Sequence, residues 1–248
     1  FLANIRNTEA IAHIVRAFEN DDIVHVANKV SPGDDIEVIN AELCLADMQT
    51  IDGRLQRLQK DAKGNPKAAE AAKYLEGLKA KLDEGVLLST LPDLDMEAIY
   101  DLHLLTAKPV IYVFNVDEEG LTDDARQQEL RDLVAPSGAI FVSAKLEEEL
   151  RGLDEADAAE LLAEYGVKEN GLNQLIHTAY ETLGLQSYLT AGPKEVRAWT
   201  IHQGDTAPQA AGVIHTDFER GFIAAQVVDF DELVAAGSMN AAKAAGKL

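Results

Sequence analysis

The residues of this chain best placed to do chemistry are Asn115-Val116-Asp117-Glu118 and Ser143-Ala144-Lys145. The first string follows the apolar run Pro109-Val110-Ile111-Tyr112-Val113-Phe114, which predicts a buried strand. The second closes a further apolar run, Ala139-Ile140-Phe141-Val142, which predicts a second strand. Both strings therefore stand at the carboxyl ends of strands, where ligands of open α/β sheets bind. An amide, two carboxylates and an ammonium group would meet there, and their chemistry is hydrogen-bonded recognition.

This pairing resembles the purine-base pocket of P-loop GTPases. In those proteins the first string reads Asn-Lys-x-Asp, and its Asp accepts hydrogen bonds from the guanine N1–H and 2-amino group. Here Val116 stands in place of the Lys and Glu118 in place of the Asp. Glu118 is longer by a methylene and would crowd a guanine. Adenine has no N1–H to donate and offers a 6-amino group instead, which a backbone carbonyl near Val116 or Ala144 could accept. The expected base-binding residues are thus Asn115, Val116, Glu118, Ser143, Ala144 and Lys145, with the backbone at 143–145 lining the base. ATP is expected to bind in preference to GTP, although a one-residue slip of the loop would bring Asp117 to the base and restore guanine recognition.

The elements that must position these strings read as follows. Leu2, Ile5, Ile11, Ile14, Val15 and Phe18 fall at near-helical spacing and predict a helix over 2–18, ended by Glu19-Asn20-Asp21-Asp22. Ile23-Val24-His25-Val26 predicts a short strand, and Ser31-Pro32-Gly33 punctuates the chain. Ile36, Ile39, Leu43, Ala46, Ile51, Leu55 and Leu58 predict one long helix. A turn at Lys63-Gly64-Asn65-Pro66 leads to a second helix marked by Ala68, Ala71, Ala72, Leu75, Leu78, Leu82 and Val86. Together these form an antiparallel helical hairpin inserted between two strands of one sheet. A helix over 122–134, the strand 139–142, an acidic helical stretch over 146–165 and a helix over 171–184 complete the α/β rhythm of a parallel sheet. Beyond residue 186 a small mixed α/β module begins, with a strand at Val196–Ile201.

The formal net charge of −21 argues against non-specific binding to a phosphate backbone and against DNA as a partner. Residues 188–248 carry five Lys/Arg against seven Asp/Glu, so any RNA contact is expected in that nearly neutral part. Cys44 is the single cysteine, which excludes an intrachain disulfide and reads as a helix-packing thiol. With neither a membrane-length apolar run nor a signal peptide, a cytoplasmic protein is expected, most simply a monomer. The start at Phe1-Leu2-Ala3 suggests a piece of a longer chain.

Longer strings identify a closer likeness. Residues 4–11, Asn-Ile-Arg-Asn-Thr-Glu-Ala-Ile, are similar to the helix after switch II of the Obg-like ATPase family of the YchF type. Phe18-Glu19-Asn20-Asp21 through His25-Val26, and Asp34 through Asn40, resemble the run into that family's coiled-coil arm. Asn115-x-x-Glu118 is similar to its altered base-recognition motif. Thr190 through Thr200, Ala207 through Gly212 and Ile214 through Phe218 resemble its C-terminal TGS domain, a ubiquitin-like β-grasp. The resemblance implies an α/β fold: an incomplete P-loop NTPase-like parallel sheet with an inserted antiparallel coiled-coil arm and a β-grasp domain. It divides the chain into 1–30 and 106–186 for the nucleotide-binding domain, 31–105 for the arm and 187–248 for an incomplete TGS domain.

The same resemblance implies a Mg²⁺-dependent P-loop ATPase that associates with the ribosome, through ribosomal RNA or protein, in translation or stress regulation. The competing reading is a nucleotide-switched ribosome- or RNA-binding module, or a scaffold, with little hydrolysis. In this family an apolar residue replaces the Gln that orients water in ordinary GTPases, which makes His25 the catalytic candidate. Trp199 and His215 are expected in the core and a surface pocket of the TGS domain. A phosphate cradle of the form Gly-x-x-x-x-Gly-Lys-Ser/Thr is not among the 248 residues. Gly246-Lys247 does not supply it, because the required first Gly position holds Ala241. The cradle and the Mg²⁺ ligands are expected before Phe1, so that the 248 residues alone would not hydrolyse ATP.

Overall fold

The structure, a computed structural model, describes residues 2–20, 22–26, 29–61, 64–192 and 194–247, with the backbone alone at 2 and 3. Phe1, Asp21, Lys63, Pro193 and Leu248, which the sequence reading invokes, lie outside the described residues. The chain divides into two compact units, residues 1–183 and 184–248.

The first unit begins with α1 (Leu2–Ile5) and β1 (Ile11–Arg16). The helix expected over 2–18 is therefore wrong: within it, Ile-Ala-His-Ile-Val-Arg forms a strand. Ile11, His13 and Val15 turn inward while Ala12 and Ile14 face out, a period of two that the wider apolar spacing masked. What decides the outcome is pairing, because β1 lies parallel to β2 (Val110–Asn115), with Ile11 opposite Val110 and Arg16 opposite Asn115. The strand expected at 23–26 does not form. Ile23–Val26 pairs with no described strand and is a turn-rich loop with Val24 and Val26 exposed to solvent, so its β-branched residues bury nothing.

Between β1 and β2 lie α2 (Pro32–Asp61), α3 (Pro66–Asp83) and the short α4 (Met96–Ile99). Proline at the first helical position and Asn65, whose side chain accepts from the Lys67 amide at 3.1 Å, start α3. Cys44, Ile51 and Leu55 of α2 meet Ala72, Leu75, Leu78 and Leu82 of α3 in one apolar core, as the helical spacing predicts. Burial, with Asp47 close by, pushes the Cys44 thiol pKa up, which keeps it protonated and packed.

Asp47 is fully buried where the hairpin meets the run into β2. Its carboxylate accepts from the Leu105 amide at 2.9 Å, the Thr106 amide at 2.7 Å and the Thr106 hydroxyl at 2.8 Å. Arg6 approaches it at 3.7 Å. A single side chain on α2 thus satisfies three donors from the segment that feeds the central strand.

Helix α5 (Asp124–Val134) and strand β3 (Gly138–Val142) follow β2. The sheet order is β1-β2-β3, all parallel, with β2 buried in the middle. Phe114 and Phe141 stack across β2 and β3 at 5.5 Å, and Arg131 of α5 covers Phe141. The stretch expected as one helix over 146–165 is two, α6 (Ala144–Leu150) and α7 (Glu155–Glu164). Gly152, at a positive φ of 91°, turns the chain between them, and Asp154 caps α7. Helix α8 (Gly171–Thr182) closes the unit.

The second unit pairs β4 (Leu185–Ala191) with β5 (Val196–His202) in an antiparallel hairpin. The sequence reading missed β4, because Leu-Gln-Ser-Tyr-Leu-Thr alternates too weakly to stand out. Helices α9 (Ala207–Ile214), α10 (Thr216–Arg220), α11 (Phe230–Ala236) and α12 (Met239–Ala244) follow. Tyr188 of β4 donates to the Ala210 carbonyl of α9 at 2.9 Å. Trp199 is half-buried, donates to the Thr190 hydroxyl at 2.9 Å and lies under the Arg197 guanidinium. His215, expected in the core or a pocket, is instead exposed: its Nδ1 accepts from the Asp217 amide at 3.1 Å and caps α10.

Candidate functional site

The carboxyl ends of β2 and β3 lie side by side, with Asn115 opposite Val142. At that edge Asn115 Oδ1 accepts the Ala144 backbone amide at 3.0 Å. The Val116 amide donates to the Val142 carbonyl at 2.8 Å, carrying the ladder one residue beyond the strand. These two bonds bring the strings around Asn115 and Ala144 into one site. Val116 itself is buried, and its amide is used within the sheet. Ser143 is also buried and serves as the cap of α6, its Oγ accepting from the Leu146 amide at 3.4 Å.

Glu118 and Lys145 face each other across the two strings, with Lys145 Nζ 2.5 Å from Glu118 Oε1. The carboxylate raises the Lys145 pKa. Lys145 is largely in solvent and Glu118 partly so, and the pair contributes little to stability. Its importance is that the Glu118 carboxylate already has a cationic partner.

Asp117 turns the other way. Its Oδ1 accepts from the Gly120 amide at 2.9 Å and lies 3.2 Å from Arg126 Nη1. Arg126 also donates to the Ala17 carbonyl, just beyond β1. Gly120 is held so close to Val116 that an added Cβ would lie 2.8 Å from the Val116 Cβ. Gln127 Nε2 donates to the Gly120 and Leu121 carbonyls, each at 2.9 Å. The loop register that the sequence reading leaves open is thus fastened at several points. Sequence reasoning missed Arg126, Gly120 and Gln127. The signal present was an Arg and a Gln inside the first turn of the helix that follows the loop.

His25 lies in the loop after β1, not on a strand. Its Nε2 is 3.0 Å from Asp35 Oδ2, in the first turn of α2. Arg16, at the end of β1, shapes the same loop by donating to the carbonyls of Phe18 at 3.2 Å, Asn20 at 3.1 Å and Ile23 at 2.9 Å. Because Arg16 pairs in register with Asn115, this loop starts beside the edge that Asn115 and Ala144 form. Among the described residues, no group of three or more His, Cys, Asp or Glu side chains converges to hold a metal ion. No described helix is long and apolar enough to cross a membrane.

Comparison with known proteins places this geometry in a family. Residues 185–248 match the family model YchF-GTPase_C, described as a protein of unknown function (DUF933). The whole chain is 48% identical to 70% of the ribosome-binding ATPase YchF of Escherichia coli O157:H7. It is 44% identical to the Bacillus subtilis (strain 168) protein of the same name, again over all of this chain and 70% of that protein. The solved structure of the Schizosaccharomyces pombe YchF GTPase superposes with a TM-score of 0.83 at 34% identity, covering 99% of this chain and 69% of that one. The arrangement of Asn115 and Ala144 at neighbouring strand ends, and identity running through the chain from end to end, lead to one conclusion: this chain belongs to the YchF-type Obg-like ATPase family.

Proposed function

We propose that the protein binds and hydrolyses ATP and works in association with the ribosome, as the names of its relatives state for them. The observation that carries the nucleotide part is the 3.0 Å bond from the Ala144 amide to Asn115 Oδ1, which joins two strand ends into one edge. In this reading Asn115 organises the edge, and the backbone near Val116 and Ala144 meets the base. Ser143 holds the turn, and Glu118 with Lys145 borders the pocket.

ATP is favoured over GTP because the two carboxylates of the Asn115–Glu118 string each already have a cationic partner. Asp117 is engaged by Gly120 and Arg126, and Glu118 by Lys145. His25, oriented by Asp35, is the residue proposed to position the attacking water. Mg²⁺ would neutralise charge on the phosphates; among the described residues no group of three or more His, Cys, Asp or Glu side chains converges to hold it.

The helical hairpin at 31–105 acts as a coiled-coil arm between the two parts of the nucleotide-binding domain, 1–30 and 106–186. Residues 187–248 belong to a β-grasp TGS domain. The protein works in the cytoplasm as a monomer, away from DNA and membranes. Turnover of ATP by the intact protein, with and without ribosomes, tests the function. Ribosome-dependent phosphate release supports it. Ribosome binding switched by nucleotide without turnover would favour a binding module instead.

A further inference from the structure

Arg126 makes contacts that base recognition alone does not require. It stands on the first turn of α5 and reaches two places at once. One is the Asp117 carboxylate, at 3.2 and 3.4 Å; the other is the Ala17 carbonyl beyond β1. Ala17 is itself buried, and its amide donates to the Asn115 carbonyl at 2.8 Å. The guanidinium therefore anchors Asp117 to the rigid ends of β1 and β2. The planar fork of an arginine suits this double role, and a lysine could not fill it.

Asp117 immediately precedes Glu118, the residue at the guanine-reading position. A one-residue advance of the loop would bring the shorter carboxylate to the base. We propose that Arg126 is a specificity-positioning residue: by holding Asp117 against α5, it fixes the loop register and denies guanine its acceptor. Gly120 completes the lock, since the Asp117 carboxylate also binds its amide and its backbone packs against Val116. Arg126 touches no nucleotide in this scheme. It acts through Asp117, so its effect appears in the choice between bases. The inference rests on the base-site reading above.

The test is the ratio of ATP to GTP affinity in the intact protein, measured by competition titration for three variants and checked by thermal melting. Arg126→Met should shift the ratio toward GTP by about tenfold, the scale of a charge-assisted hydrogen bond gained by guanine. Arg126→Met combined with Asp117→Asn should return the ratio to the parent value, because the freed side chain no longer carries a charged acceptor. General loosening of the fold would weaken both nucleotides together and leave the ratio unmoved. Should Arg126→Met not fold, Arg126→Gln keeps a donor for the Ala17 carbonyl and is read in the same way. Asn115→Ala separates the two ideas. If it weakens ATP binding while the Arg126 variants leave the ratio unchanged, the Arg126 proposal is overturned and the base site stands. If Asn115→Ala leaves ATP binding unchanged, the base site itself is wrong.

Discussion

Asn115 and Ala144 meet through a side-chain oxygen and a backbone amide 3.0 Å apart, joining the ends of two parallel strands. Neither residue is part of the apolar core, so the bond shapes the surface edge more than it stabilises the fold. Asn115→Ala should weaken ATP binding about tenfold while costing about 1 kcal/mol of stability, the net value of one hydrogen bond. A nucleotide titration paired with a denaturant melt separates the two effects. Equal losses in both would mean that Asn115 is only a structural tie.

His25 is held by Asp35 at 3.0 Å in the loop that Arg16 shapes. His25→Ala should lower the ATP turnover rate of the intact protein by about a hundredfold, the usual scale of one positioned acid–base group, with nucleotide affinity unchanged. Single-turnover phosphate release beside an affinity measurement checks this. Unchanged turnover with intact binding would discard the role.

Asp47 predicts a purely structural effect. Asp47→Ala leaves the Leu105 amide, the Thr106 amide and the Thr106 hydroxyl without their shared acceptor in a buried place. The expected destabilisation is about 3 kcal/mol or more, read from the shift of the urea midpoint. A loss within the range of ordinary surface substitutions would show that the helical hairpin is fastened to the sheet by other means.

His13 predicts a pH dependence. It lies on β1 against the Tyr112 ring, and burial lowers its pKa, with Asp35 opposing the shift. The unfolded chain takes up a proton at this residue near the ordinary histidine pKa of about 6.5, while the folded chain does so only at lower pH. The unfolded state therefore binds more protons in that window, and stability falls as pH drops below about 6.5 toward the folded value. His13→Gln should flatten that part of the stability profile, measured by denaturant melts from pH 7.5 to about pH 5. An unchanged slope would assign the acid sensitivity to other groups.

The legible and the hidden parts of this molecule differ in the range of the interactions that made them. The helices of the hairpin were readable because Cys44, Ile51 and Leu55, like Leu75, Leu78 and Leu82, repeat along a single face. Strands β2 and β3 were readable as short apolar runs ended by polar strings. Strand β1 was not, because Ile11 to Arg16 becomes a strand only through the open edge of β2, far along the chain. The loop around His25 has β-branched residues but pairs with no described strand, so local propensity misled there. At the site, the types of Asn115, Glu118 and Lys145 were informative, whereas the Asp117–Arg126 contact depends on a turn that folds α5 back on the loop.

One measurement bears most directly on the central claim: ATP and GTP competing in a single calorimetric titration of the intact protein with Mg²⁺ present. The geometry predicts tighter binding of ATP, since Asp117 and Glu118 each already have a cationic partner. Tighter binding of GTP would contradict it, because a guanine acceptor would then have to come from a loop whose Asp117 is tied to Gly120 and Arg126.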